Sequence, residues 1–486
     1  MKDIHIQNLQ KLICEHTNND VCKIEPLPKS GSDRLYYRIY SNDKTWIGVY
    51  NPNKEENICF IDYANALSSI NLNVPSIIAV DSSLLYYITS DLGNQDFHAF
   101  FLDAHKQKAF PEALVSKCKQ AIDGLIDIQV KGNDVVDYSK AFPIDTFNKR
   151  SIMWDLNYFK YYMVKAKSIQ FNENRLEDDF NTFADWLLKD NDLYFMYRDF
   201  QSRNIMWKDN QPWFIDFQGG RKGPLQYDLA SFLNQVSANI PEDIKDELID
   251  YYTHSLNERY NLQPKNFKER YYGFVLFRLI QVLGAYGFRG LYEKKPHFLK
   301  SLQPALEKLR EHIKQHQLPF DAPELYNVLT SLCPEKTDLY KNEDKLNVTI
   351  TSFSFLRSGI PSDTSNNGGG FVFDCRFLPN PGRYQEYKES TGRDQDVIEF
   401  FHKHKELDMF LKDIYSIAEK AVENYIERKF THLMFNFGCT GGQHRSVYCA
   451  EQLTKHLMEK YNVIIKVEHV MQSISYIVSQ PKPKLS

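Results

Sequence analysis

The chain has 486 residues, of which 42% are hydrophobic and 25% charged, a balance that builds packed cores and excludes global disorder. At roughly 100–200 residues per domain, this length favours two to four domains. With 59 Lys and Arg against 63 Asp and Glu, a formal charge of −4 excludes an overall electrostatic pull toward nucleic acid or anionic lipid and leaves only local patches. The 30 Tyr and 33 Phe suit ring-stacking pockets and ordinary cores alike. Eight cysteines (14, 22, 59, 118, 333, 375, 439 and 449) are scattered without a CxxC pair, which argues against a zinc ribbon or a dense disulfide framework. Residues 1–20 lack the basic, apolar, small-residue order of a signal peptide. A soluble cytoplasmic protein with no membrane partner is the expectation.

In chain order, residues 24–50 alternate apolar and polar around Ser30-Gly31-Ser32-Asp33-Arg34 and predict strand, turn and two further strands. A helical pattern over 55–67 follows, then strands over 74–80 and 84–89 that end at Asp91-Leu92-Gly93. Helical periodicity runs from about 96 to 189, broken near Phe142-Pro143. Short apolar strands over 194–197 and 213–216 flank a polar loop, and helices dominate from 224 to about 315. The apolar stretch 271–290 is interrupted by Arg278, Gln281 and Arg289, which predicts a buried core helix rather than a membrane span. Residues 316–345, with Pro319, Pro323 and Pro334, read as a linker. Beyond it come strands over 347–355, 371–376 and 432–437, a Gly-rich turn and a helix over 446–460, the syntax of an α/β domain. The expected architecture is a bilobal α+β unit over 1–315, with a small β-rich lobe to about 95 and a helical lobe beyond, fused to an α/β domain over 346–486.

Two constellations carry chemistry. In Tyr197-Arg198-Asp199-Phe200-Gln201-Ser202-Arg203-Asn204 an Asp precedes an Asn by five positions, and Ile215-Asp216-Phe217-Gln218 follows twelve residues later. Phosphoryl transfer needs a carboxylate to orient the attacking hydroxyl and oxygen ligands to hold Mg²⁺ on the phosphates, and this order of residues supplies both. With the string 223–231 (Gly-Pro-Leu-Gln-Tyr-Asp-Leu-Ala-Ser), the segment resembles the aminoglycoside phosphotransferase superfamily over residues 1–315. Within it the resemblance is to the anomeric kinases of N-acetylmuramate and N-acetylglucosamine. The resemblance implies a kinase-like fold, ATP and Mg²⁺, Asp199 as catalytic base, Asn204 and Asp216 as metal ligands, and Arg203 as a charge partner near the phosphates. Asp228 reads as a structural anchor. Ser30, Gly31, Ser32 and Arg34 would cover the phosphates, Glu55 or Glu56 would organise that turn, and Asp91 marks the hinge beside the nucleotide base. Gln281, Tyr286 and Arg289 read as surface or satisfied-core positions sooner than sugar contacts. Two departures stand out. Tyr197 occupies the usual His position, and Ile47-Gly48-Val49-Tyr50 lacks the usual strand-three Lys.

The second constellation, Gly438-Cys439-Thr440-Gly441-Gly442-Gln443-His444-Arg445-Ser446, lies between a strand and a helix, where backbone N–H groups and a helix N-terminus favour an anion. Cys439 to Arg445 also satisfies C-x5-R, the phosphate loop of cysteine phosphatases, with Asp374 or Asp394 as acid. Together with 352–361, 371–381 and Thr391-Gly392, the segment 347–475 resembles the C-terminal domain of the RNase adapter (RapZ) family. That resemblance implies binding of an amino-sugar phosphate by Asp374, Arg376, Cys439, Thr440, Gly441, Gly442, His444, Arg445 and Ser446, and small RNA as a further partner. The end of the chain, with Lys482 and Lys484 alone, weakens the RNA expectation. The family's P-loop domain is replaced here by the kinase-like unit. Three readings follow: an amino-sugar kinase joined to a phosphosugar-binding domain, a non-catalytic sensor or adapter, and a cysteine phosphatase. Oligomeric state is not legible.

Overall fold

The computed structural model describes residues 2–17, 21–28, 33–41, 44–106, 110–167, 169–189, 193–333, 345–363 and 370–479. It divides into two compact units, Met1–Pro334 and Glu335–Ser486.

The first unit begins with helix α1 (Lys2–His16) and an antiparallel sheet of β1 (Lys23–Pro26), β2 (Leu35–Tyr40), β3 (Thr45–Tyr50), β4 (Ile77–Val80) and β5 (Tyr86–Ser90), in the order β1-β2-β3-β5-β4. Leu9, Leu12 and Ile13, at helical spacing, bury α1 against Tyr37, Ile39, Trp46 and Ile88 of the sheet. The sequence reading left α1 unassigned, although this stripe was there to be read. Between β3 and β4 runs α2 (Lys54–Ser69), started by the Asn53 side chain accepting the Glu56 backbone N–H. That cap sets the rotation of Glu56, which matters below.

The helical lobe follows: α3 (His98–Lys106), α4 (Glu112–Val135), α5 (Lys149–Phe159) and α6 (Glu173–Leu188). Two short two-stranded sheets come next, β6 (Tyr194–Met196) pairing with β9 (Arg221–Gly223), and between them the hairpin of β7 (Ile205–Lys208) with β8 (Gln211–Phe214). Then come α7 (Gln226–Leu233), α8 (Glu242–Tyr260), α9 (Phe267–Tyr286), α10 (Pro296–Gln315) and α11 (Pro323–Leu332). The span 267–292 is long and apolar enough to cross a membrane, yet most of it is buried inside this unit. Gly273 and Gly284 make that close packing feasible, because a Cβ at either would run into Trp186 or Phe159.

The expected linker over 316–345 needs correction. Its apolar residues Leu325, Val328, Leu329 and Leu332 are buried as one face of α11, and Phe320 packs on Trp186. The α6 carboxylate of Asp179 accepts the Leu325 backbone N–H at 2.8 Å, satisfying an orphan donor at the start of α11. Three prolines suggested a spacer, but Pro323 stands at the first turn of a helix, where its missing N–H costs nothing. The first unit therefore reaches at least Cys333.

The second unit is a single sheet in the order β11-β12-β10-β13-β14, built from β10 (Asn347–Ser354), β11 (Phe371–Asp374), β12 (His432–Cys439), β13 (Ile464–His469) and β14 (Ile474–Ser479). Four strands are parallel and β14 is antiparallel at the edge. Helices α12 (Gln395–His402), α13 (Lys405–Glu427) and α14 (Arg445–Lys460) supply the crossovers. The chain leaves β10 toward β12 and β11 on one side, then returns through α14 to β13 on the other. The C-terminal ends of β10 and β12 thus border a topological switch point, the usual crevice of open α/β sheets.

Replacing Asp179 by Ala should leave the Leu325 N–H buried and unpaired, lowering stability of the first unit by about 1–3 kcal/mol. A lowered urea midpoint, with faster amide exchange over 323–332, is the expected result. Unchanged protection there would show that α11 does not depend on this bond.

Candidate functional site

The loop after β6 is built on one buried carboxylate. Asp228, in the first turn of α7 and fully buried, accepts the backbone N–H groups of Tyr197 and Arg198, each at 2.8 Å. Gln129 donates to the same carboxylate at 3.2 Å. Burial pushes its carboxyl up to about 7, opposed by those backbone donors. Arg198 is held at a φ of 76°, a left-handed conformation that a non-glycine residue adopts only when its surroundings impose it. Asp199 follows at the edge of the cleft, half-buried, and burial raises its carboxyl above the ordinary range while Arg278 pulls it back. Tyr197, where His was usual, is fully buried, and its hydroxyl donates to the carbonyl of Ile215. The substitution keeps a tie between this loop and the strand end that carries Asp216.

Asp216 is the second non-glycine residue of the site at positive φ, 66°. Its Oδ1 accepts from Arg34 Nη1 at 2.9 Å and from Gln218 Nε2 at 2.8 Å, and its Oδ2 faces Asn204 Nδ2 at 3.4 Å. Asn204 also donates to the backbone carbonyl of Asp199 at 2.9 Å. The two residues expected as metal ligands and the one expected as base are therefore joined by direct hydrogen bonds. Asp216 and Asn204 offer hard oxygen donors, a donor set that fits Mg²⁺ shared with phosphates and water.

Arg34 resolves the missing lysine. Its guanidinium, buried just ahead of β2, pairs with Glu56 of α2 and with Asp216, and lies 3.2 Å from the Tyr36 hydroxyl. Asn51 holds the other Glu56 oxygen at 2.9 Å. A cation tied to a helix carboxylate thus comes from the strand before the one where it was sought. Sequence reading looked for the cation within β3, whereas this buried cation of the cleft stands just ahead of β2.

Other expected residues fall elsewhere. Ser30, Gly31 and Ser32 lie outside the described residues. Arg203 is exposed, away from the cleft lining. The Asp91 carboxylate is taken up by Arg38 at 2.7 Å and by the Gly93 N–H at 2.9 Å, so its side chain secures the turn after β5. Gln281 bonds Asp155 at 2.7 Å beneath the loop, while Arg289 pairs with Glu293 on the surface. Sequence reading missed Arg221, which lines the same open cleft of about 420 Å³ as Arg34, Glu56, Arg198, Asp199 and Asp216. Its signal was a lone Arg in the Gly-rich segment 219–223, which periodicity does not flag.

In the second unit, Cys439 ends β12 and the loop to α14 turns at Gly442, with φ of 70°. Gly442 donates its N–H to the Cys439 sulfur at 3.1 Å, and the Ser446 hydroxyl lies 3.2 Å from that sulfur. Arg445 is buried and donates to the carbonyls of Arg376 at 2.7 Å and Leu378 at 3.3 Å, with Thr440 Oγ1 at 3.4 Å. His444 reaches the Tyr387 carbonyl at 2.8 Å. Asp374 and Arg376 pair with each other at 2.6 Å in an exposed position after β11. The expected residues do gather at one end of the sheet, but Arg445 and His444 brace loops there. Of the groups the phosphatase reading named, Arg445 Nη1 is taken by backbone carbonyls, Asp374 pairs with Arg376, and Asp394 accepts from the Thr391 N–H and hydroxyl. Beneath the loop, Ser352 bonds His469 at 2.8 Å and His469 bonds Glu451 at 3.0 Å, a chain that joins β10, β13 and α14.

Residues 23–263 match the family described as phosphotransferase enzyme family, and residues 346–472 match the RapZ C-terminal domain. The chain thus carries a phosphotransferase-family domain followed by a RapZ C-terminal domain. It is 32% identical over 169 residues to a nucleotide-binding protein of Pseudothermotoga lettingae, covering 34% of this chain and 58% of that one. Over 129 residues it is 37% identical to a nucleotide-binding protein of Hahella chejuensis, covering 26% and 43%. The chain spans about half the length of these curated relatives. Among solved structures, a choline kinase of Cryptosporidium parvum aligns over 68% of this chain and 99% of its own, at 14% identity and a TM-score of 0.46.

Truncating Asp228 to Ala removes both backbone anchors at once and leaves two buried N–H groups unpaired. The expected cost is about 3 kcal/mol or more, with faster amide exchange at Tyr197 and Arg198. Native protection at those two amides in the variant would refute the anchoring role.

Proposed function

We propose that the first unit catalyses ATP-dependent phosphorylation of a small amino sugar of the N-acetylmuramate or N-acetylglucosamine type at its anomeric hydroxyl. The second unit, on the same proposal, binds an amino-sugar phosphate. One observation carries the first half: Asp199 and Asp216 line one cleft with Arg34 and Glu56, and Asn204 is hydrogen-bonded to the Asp199 carbonyl and to Asp216. Asp199 accepts the proton of the attacking hydroxyl, and burial, which raises its carboxyl above the ordinary range, makes it a better proton acceptor. Asn204 and Asp216 would hold Mg²⁺, which when bound neutralises charge on the transferring phosphates. Arg34, already in place against Asp216, supplies a fork of donors for phosphate oxygens, the work a strand-three lysine would otherwise do. For the second unit, support comes from the Gly-rich turn at the C-terminal end of β12 and the free N-terminus of the 16-residue α14.

Purified protein with Mg²⁺, ATP and a panel of free and N-acetylated hexosamines should release ADP and phosphosugar together. Asp199→Ala should lower the rate by about 10²–10⁴. ATP binding without turnover on any sugar would sink the kinase reading and favour the sensor or adapter. Because burial raises the Asp199 carboxyl and only its ionised form accepts a proton, kcat/KM should fall as pH drops, at a pH above the ordinary Asp value of about 4. A profile flat down to pH 4 would assign the base elsewhere. Gly442→Ala forces a side chain into positive φ and against Met471, so calorimetry should show weakened glucosamine-phosphate binding, with kinase turnover unchanged. Unaltered affinity would place the phosphosugar elsewhere.

A further inference from the structure

Arg221 has no role in the chemistry above, and its surroundings are unusual for a buried cation. Only 4% of the residue is exposed, yet its Nε donates to the Gly219 carbonyl at 3.0 Å and no carboxylate forms an ion pair with it among the described residues. The residue lines the cleft that holds Asp199. Arg198 stands beside it on the adjoining strand end, since β9 places Arg221 opposite Met196. Arg198 is only partly satisfied: Nη2 reaches Asp155 at 3.2 Å, while Nη1 is buried without any partner. Burial, reinforced by Arg198, pulls the Arg221 guanidinium down to about 10 against the opposing influence of Asp155 and Asp199.

A buried guanidinium without a direct ion-pair partner is costly even with Asp155 and Asp199 acting on it from a distance, and a bound oxyanion would supply the missing contact. Arg198 and Arg221 both line this cleft, and the planar fork of a guanidinium matches the geometry of a carboxylate or phosphate group. We propose that Arg198 and Arg221 form an oxyanion-binding site in the cleft beside Asp199, taking a carboxylate or phosphate group. The oxyanion belongs either to the acceptor itself, whose acidic form then binds in preference to the neutral one, or to a free ion. The acceptor form rests on the kinase reading, whereas oxyanion binding by the arginine pair does not.

The test uses the full chain, Arg221→Gln and Arg221→Lys, with N-acetylmuramate, its neutral parent N-acetylglucosamine, and lactate and inorganic phosphate as free probes. Because the wild-type arginine is unpaired, Arg221→Gln should melt at the same temperature as wild type or higher without ligand. A brace would melt lower. Calorimetry should show N-acetylmuramate binding wild type at least about tenfold tighter than N-acetylglucosamine, a preference lost in Arg221→Gln and partly kept in Arg221→Lys. Equal binding of the two sugars, with lactate or phosphate stabilising wild type but not Arg221→Gln, identifies a free ion as the source and also supports the site. Identical responses of wild type and Arg221→Gln to every anionic probe, or a lower ligand-free melting temperature in Arg221→Gln, would overturn it. Anion binding that depends on Arg221 without ATP turnover would refute the kinase reading alone, and turnover without that dependence would refute only this site.

Discussion

The first unit turns on a carboxylate that touches no substrate. Asp228 sits at the start of α7 and takes the backbone N–H groups of two consecutive residues, Tyr197 and Arg198. Such double acceptance fixes the peptide plane between them and holds Arg198 at positive φ. The conformation costs on the order of 1–3 kcal/mol and persists because the surroundings over-determine it. From that bend Asp199 faces the cleft, and Asn204 folds back to bond the Asp199 carbonyl. The Tyr197 hydroxyl then reaches Ile215, so the same bend also positions Asp216. One buried group thereby sets three others, which is why its environment is so fully hydrogen-bonded.

Charge is distributed around that frame by burial rather than by count. Arg34 stands between Glu56 and Asp216, and its pair with Asp216 joins the sheet lobe to the helical lobe. The guanidinium is buried while both carboxylates stay partly exposed, so removing either one would leave the buried cation less compensated. Arg198 and Arg221 lie on the other side of Asp199 with less compensation. Their positive potential favours the ionised carboxylate, while burial disfavours it, and burial is the larger effect on Asp199. A carboxyl raised above the ordinary range is the outcome of that balance.

In the second unit the parallel sheet plays the organising part. Residues that diverge widely in sequence, Ser354, Asp374 and Cys439, end neighbouring strands and so meet at one edge. The hydrogen-bonded chain Ser352–His469–Glu451–Tyr476 spans three of the strands and α14, and Tyr476 closes it onto Glu451 at 2.6 Å. Polar networks of this kind, satisfied throughout, fix strand register more specifically than apolar packing does. Arg445, seen from the sequence as an anion fork, holds the loop after β11 against the loop after β12 instead.

The sequence by itself determined the bilobal and α/β architectures, because strand alternation, helical periodicity and the Asp199-Asn204-Asp216 order are local patterns. It determined Asp228 as an anchor through its place in the 223–231 string. Tertiary structure alone decided that Arg34 pairs with Glu56 and Asp216, because those partners lie 22 and 182 residues away. It likewise decided that α11 belongs to the first unit, that Arg203 points away from the cleft, and that Arg221 is buried in it. Each of these depends on which distant surface a side chain meets. A pattern read along the chain records spacing and type, whereas the state of a charge is set by what surrounds it across the fold.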